Sequence, residues 1–206
     1  MTRITDYDSL VTAIVDRMND AALSDYAPEF IQMAEAMFNR RLGNLEMEGT
    51  ATNTATASMA LPTDFGAMKS IYLDTDPRQP LAPMTAAQIR HYWAAQTTGK
   101  PVNYALTSNE ILLGPAPDDA YDVIITYVRT LEALTDINTT NWLLEKHPDL
   151  YLYGSLIHAE FRGWNDDRLP LLNNAVEGMI AEINVSGNRM RTATGLRMRP
   201  SAMERI

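Results

Sequence analysis

Three histidines, His91, His147 and His158, are the side chains of this 206-residue chain best suited to moving a proton near neutral pH. None has a second histidine or an acid at a metal-ligand spacing such as HExxH. The acid pairs Asp118-Asp119 and Asp166-Asp167 stand where a turn and a helix start are expected, not as paired general acids. There is no cysteine, so no disulfide, thiolate nucleophile or thiolate metal site. The serines lack a GxSxG elbow. Gly99-Lys100-Pro101-Val102 lacks both the upstream glycine and the following hydroxyl of a phosphate loop. The expectation is a protein that is not an enzyme, with no catalytic, cofactor-binding or metal-binding residues. The competing reading is a small acid-base enzyme using His91 or His158 in a cleft.

The elements that would position any site follow from apolar spacing. Residues 138–163 form the centre. Asn138, Thr139 and Thr140 are turn formers, and Trp142, Leu143 and Leu144 make a short apolar anchor. Pro148 suits a first helical residue, where its missing N–H costs nothing. Leu150, Tyr153, Gly154, Ile157 and Phe161 then recur at helical spacing, and Gly163 is placed to end the helix. Trp142, Leu150, Tyr153, Ile157 and Phe161 are the expected core. Upstream, a helix is expected over 5–19, capped by Thr5 with Asp8, with Leu10, Val11, Ile14, Val15 and Met18 as its stripe. A second starts at Pro28, buries Phe30, Ile31, Ala34, Met37, Phe38 and Leu42, turns Glu35 and Asn39 outward, and stops at Gly43-Asn44. A last helix, capped by Asp166 or Asp167, carries Leu172, Ala175, Val176, Met179, Ile180 and Ile183 and ends near Gly187.

Between these helices the period changes. Residues 46–61 alternate threonine with alanine, which suggests a strand at a sheet edge. Met68–Leu73 is a further strand, and Thr85 caps a short helix to Trp93. Val102–Thr107 and Glu110–Leu113 flank Ser108-Asn109 as a hairpin. In Tyr121–Arg129 the apolar positions alternate most clearly. The organisation is therefore α+β. Residues 1–45 and 138–187 form a composite helical bundle, 46–137 an inserted β-rich module, and 188–206 an extended C-terminal arm.

Charge adds a constraint. The net charge is −9, but 188–206 holds five arginines against one acid. The acidic remainder repels phosphates, so strong nucleic-acid binding is not expected. No apolar run is long enough to cross a membrane, and MTRITDYDSL lacks the pattern of a secretory leader. The arm has too few apolar residues to fold alone, and extended it reaches roughly 60 Å. It can offset its ordering entropy by lying on another protein.

The segments FIQMAEAMFNRRL, LPTDFGAMKSIYLD, PLAPMTAAQIRHYW, NYALTSNEILLGPAPDDAYDVIITYVRTLEALTDINTTNWLL and HPDLYLYGSLIHAE run in this order over about residues 26–165. In content and spacing they resemble head–tail adaptor (connector) proteins of tailed bacteriophages, of the podovirus-type adaptor or tail tubular family. Ser108 stands where the family pattern has glycine. The resemblance implies a structural virion protein at the head–tail interface, without catalytic residues. It implies a homo-oligomeric ring, commonly of twelve copies, between the portal protein and the tail nozzle or tube protein. DNA would pass through its channel unbound. A neck or tail-completion protein at another ring level is the related alternative. Within this reading Arg189, Met190, Arg191, Leu196, Arg197, Met198 and Arg199 are the candidate portal-binding residues, with the arginines pairing to portal acids and the apolar side chains as anchors.

Overall fold

A computed structural model describes residues 3–18, 21–43, 45–93, 98–162 and 167–192. The chain divides into two compact units, Met1–Glu46 with Leu131–Ile206, and Met47–Thr130. The fold is mixed, with six α-helices and two sheets among the described residues.

The first unit is helical. α1 spans Tyr7–Met18, and its cap differs from the expected Thr5–Asp8 pair. Asp6 Oδ1 accepts the Ser9 N–H at 2.9 Å, and Ser9 Oγ accepts the Asp6 N–H at 3.0 Å. Aspartate at the cap with serine three residues on makes the reciprocal pair. A 3-10 turn, Ala21–Tyr26, leads into α2, Ala27–Arg41, with proline in its first turn. Phe30, Ile31, Ala34, Met37 and Phe38 are buried on it, as their spacing requires. Its end is not a left-handed glycine. Leu42 leaves the helix in an extended conformation, and Gly43 instead donates its N–H to Asn184 Oδ1 at 2.8 Å.

α4, Trp142–Lys146, is a single short turn capped by Asn141. α5, Pro148–Arg162, packs against α1, α2, α4 and α6, the last being Leu169–Thr192. Gly163, Asn44 and Asp166, the expected boundary residues, lie outside the described residues. The expected stripe of α5 uncovers along its length. Leu150 is fully buried, Tyr153 and Ile157 are half-buried, and Phe161 is 74% exposed. Phe161 is thus not core. It sits about 200° around the helix from buried Ala159, on a side covered only near the start of α5. Trp142 is also only half-buried. The side that packs throughout carries Leu152, Ser155, Leu156 and Ala159. α6 passes through Gly187 and continues to Thr192, five residues beyond the expected end. Gly187 is buried within the helix, and no proline follows before Pro200, so nothing there forces a stop. Residues 131–137, which the sequence reading assigns to the β module, fall in the helical unit.

The second unit holds two four-stranded sheets. Its strands are β1 (Glu48–Thr54), β2 (Ser58–Ala60), β3 (Phe65–Leu73), β4 (Gln79–Pro80), β5 (Ala82–Pro83), β6 (Asn103–Leu106), β7 (Glu110–Gly114) and β8 (Asp122–Arg129). One sheet runs β1-β8-β3-β4 and the other β2-β7-β6-β5. The Thr-Ala stretch is therefore two strands in two sheets. Ile71, Leu73, Val123, Ile125 and Tyr127 from the first sheet meet Met59, Ile111 and Leu113 from the second in one apolar cluster. α3, Ala86–Tyr92, starts in a complete capping box, with Thr85 and Gln88 as its two halves. The hairpin closes around Ser108-Asn109, Thr107 donating its N–H to the Glu110 carbonyl at 2.9 Å.

Gly154 marks the tightest helix contact. A Cβ added there would lie 2.6 Å from Phe38 Cζ and 3.5 Å from the Ala34 methyl. In an ordinary helix Gly→Ala gains up to ~1 kcal/mol of propensity. Here overpacking by about 1–3 kcal/mol wins, because the Phe38 ring is fully buried and cannot swing aside. Gly154→Ala is expected to lower the denaturant midpoint; a rise in midpoint contradicts this packing.

Candidate interaction surfaces

The chain returns from the β unit through residues 131–141, a strap with no regular structure whose polar backbone must find partners. It finds them on the helices. Leu131 donates its N–H to Asn39 Oδ1 at 2.7 Å, and Leu134 to Glu35 Oε1 at 2.8 Å. Glu35 is 5% exposed, not outward-facing as expected, because it stands four residues after Ile31 and three before Phe38, beside the buried stripe of α2. The Tyr151 hydroxyl donates to the same carboxylate oxygen at 3.1 Å. Asn141 Nδ2 donates to Tyr151 Oη at 2.6 Å and to the Glu132 carbonyl at 2.8 Å. Its Oδ1 accepts the Leu144 N–H at 2.9 Å and so starts α4. At the far end Tyr7 donates its N–H to the Thr139 carbonyl at 2.8 Å.

This network is electrostatically loaded. Burial pushes the Glu35 carboxyl above the usual range, opposed by the Leu134 N–H and the Tyr151 hydroxyl. Burial and the nearby Glu35 charge push the Tyr151 phenol far up, so it remains a donor. A proton held by Tyr151 and a carboxylate that accepts it make a structural pair, not a reactive one.

The strap displays a turn. Thr135 donates its N–H to the Asn138 carbonyl at 2.9 Å, and its Oγ1 accepts the N–H groups of Ile137 and Asn138 at 3.3 and 3.0 Å. Asn138 Nδ2 holds the Ala133 carbonyl at 2.9 Å. The turn is tied at several points, and the Ile137 side chain at its tip is 97% exposed. Beside it lies an open groove of about 520 Å³ that includes Asp25, Glu29, Glu35 and Asp136 and, among the described residues, no basic side chain. Phe161 and Leu171 are further large apolar side chains open to solvent on the helical unit.

The histidines do not converge. His91 is exposed and packs edge-on against the Tyr92 ring. His147 caps the end of α4 and borders a cleft of about 330 Å³ with Lys146, Asp149 and Glu182. His158 is half-buried on α5, and burial, helped by the Arg40 charge, holds its pKa below the ordinary value. Its Nε2 has no partner among the described residues. Asp118 accepts the Tyr121 hydroxyl at 2.9 Å and Asp119 the Ala120 N–H at 2.7 Å, so both are turn groups. No group of three or more His, Asp or Glu suited to a metal occurs among the described residues.

Of the candidate portal-binding residues, Arg189, Met190 and Arg191 lie in the backbone of the last turns of α6. Leu196, Arg197, Met198 and Arg199 fall outside the described residues.

The family model described as SU10 adaptor protein matches residues 5–200. The chain belongs to this family of phage adaptor proteins. No curated protein matches it. As a SU10-family adaptor it is a structural bacteriophage protein and a virion component that contacts other virion proteins. No described helix is long and apolar enough to cross a membrane.

The strap gives the adaptor a test. A group whose folded pKa is raised stabilises fully below its unfolded pKa, and that stability is lost as pH rises through the folded pKa. Glu35→Gln keeps an acceptor for Leu134 and Tyr151 but cannot ionise. Its unfolding free energy is expected to lack that decline across the acidic range and to match or exceed the parent at neutral pH. Glu35→Ala leaves two buried donors unpaired and is expected to cost about 1–3 kcal/mol. Denaturant titrations over a pH series read both; equal loss in the two variants contradicts the assignment.

Proposed function

We propose that this adaptor forms a closed homo-oligomeric ring, of twelve copies, that joins the portal to the tail and leaves a channel for DNA. Membership of the adaptor family across residues 5–200 is the observation that carries this reading. The surface supports it. Ile137, Phe161 and Leu171 are large apolar side chains open to solvent on the helical unit, and a neighbouring copy that covered them would remove apolar area from water. A ring requires two unlike surfaces on each copy that meet head to tail. The excess of acids over bases outside residues 188–206 suits a channel wall, because it repels phosphates and lets DNA slide without binding.

In this reading the adaptor is not an enzyme, and residues 188–206 clamp the portal. Arg189, Arg191, Arg197 and Arg199 pair with portal carboxylates, and Met190, Leu196 and Met198 fill apolar hollows between them. Residues 1–45 and 138–187 act as the platform and 46–137 as the inserted module.

Two measurements check this. The mass of the purified protein in solution, alone and with portal, is expected to show an oligomer and a larger joint complex. Deleting 188–206 is expected to leave a folded protein that no longer co-sediments with portal. A monomer at all concentrations and with portal refutes the ring, and unchanged co-sedimentation of the deletion refutes the arm.

A further inference from the structure

β1 is the outer strand of its sheet, and its hydrogen-bonding parity can be read from the ladder. Ala55 donates its N–H to the Tyr121 carbonyl at 2.7 Å, in register with the pairs Asn53↔Val123, Ala51↔Ile125 and Gly49↔Tyr127. These residues therefore turn their backbone groups toward β8. Thr50, Thr52 and Thr54 turn theirs the other way, where the sheet has no further strand among the described residues. Their side chains are exposed as well.

The chain protects its other sheet edges. β4 and β5 are two residues each and contain Pro80 and Pro83, and β2 is three residues. Short length and proline are the usual guards of an edge. β1 has neither: it is seven residues long, its pairing with β8 is unbroken, and it has no proline or lysine. At its end, a shallow cavity of about 320 Å³ between Thr54 and Met59 could seat one incoming side chain.

We propose that the outer edge of β1 is a strand-addition site that receives an extended segment of a different virion protein. Main-chain hydrogen bonds to Thr50, Thr52 and Thr54 would supply affinity. The segment would be small or apolar where it flanks Gly49, Ala51 and Asn53, and hydroxyl-bearing or β-branched where it flanks the threonines. It needs no charge along Thr50–Thr54. A second copy of this chain fits less well. Its described edges other than β1 are too short, and a β1–β1 pair is two-fold, which does not propagate around a closed ring. That last step rests on the ring reading above.

Hydrogen exchange followed by mass spectrometry on the peptide spanning 48–56 tests the site. It compares the free protein, the isolated oligomer and assembled tailed particles. The amides of Thr50, Thr52 and Thr54 are expected to exchange rapidly in the first two and at least tenfold more slowly in particles. Equal exchange in all three overturns the proposal. Protection already present in the isolated oligomer assigns the edge to a second copy and overturns the partner. This comparison reads the edge whatever the copy number, whereas solution mass reads the ring.

Thr52→Pro adds a specific lesion, because the N–H it removes points outward and the β1–β8 ladder is left intact. The variant is expected to fold and oligomerise like the parent but to enter particles at least tenfold less. Thr52→Lys, which keeps the N–H but guards the edge, is expected to share the defect, and Thr52→Val to incorporate normally. Normal incorporation of Thr52→Lys overturns the proposal even if the proline variant fails to fold.

Discussion

A buried carboxylate holds the helical unit to the segment that leaves the β unit. Glu35 on α2 accepts from the Leu134 backbone and from Tyr151 on α5, and Asn141 completes the chain. Burying a charge is costly, and the cost is offset only when every partner is in place. The partners lie 99 and 116 residues away in sequence, so the network forms only in the folded unit. It ties the strap to α2, α5 and the start of α4 at once. The exposed turn at Ile137 owes its fixed position to these anchors. Without them, residues 131–141 would be a long connection with unpaired backbone on the protein surface.

The same arrangement lets one unit be inserted into another. β1 and β8 are antiparallel neighbours with Glu48 opposite Val128, so the β unit begins and ends at the same end of the ladder. The chain leaves the helical unit after Glu46 and re-enters at Leu131. An insertion whose ends are held side by side adds little closure cost to the host. α1 and α2 can then meet α5 as if the intervening residues were a short loop.

Much of this was legible in the sequence, because periodicity reports local geometry. The buried residues of α2, the alternation of β8, the Thr85–Gln88 box and the proline start of α5 all follow from near neighbours. What escaped depends on distant ones. Glu35 falls beside the buried stripe of α2, four residues after Ile31, but its charge argues for water and nothing local reveals Leu134 or Tyr151 as its partners. Phe161 has the right spacing for the core, but spacing does not say how far a covering helix extends. Gly187 looks like a stop, yet it is buried within α6, whose last four turns also bury Ile180 and Ile183. Ser9 is not the glutamate or glutamine usual three residues after a cap, and the reciprocal bonds with Asp6 decide the matter.

The candidate contact residues were harder to read than the fold for a related reason. Catalysis concentrates unusual side chains, which leave spacing signatures; assembly uses ordinary ones in unusual exposure. Ile137 is unremarked in sequence, being one isoleucine beside a turn. Only the hydrogen bonds from Thr135 and Asn138 show that the turn is fixed while the side chain stays wet. A backbone held in place before contact has little of its own entropy left to lose, so only the Ile137 side chain has still to be ordered. The strap network and the turn therefore belong to one argument: the polar bonds inside the unit make an exposed apolar contact on its surface cheap to form.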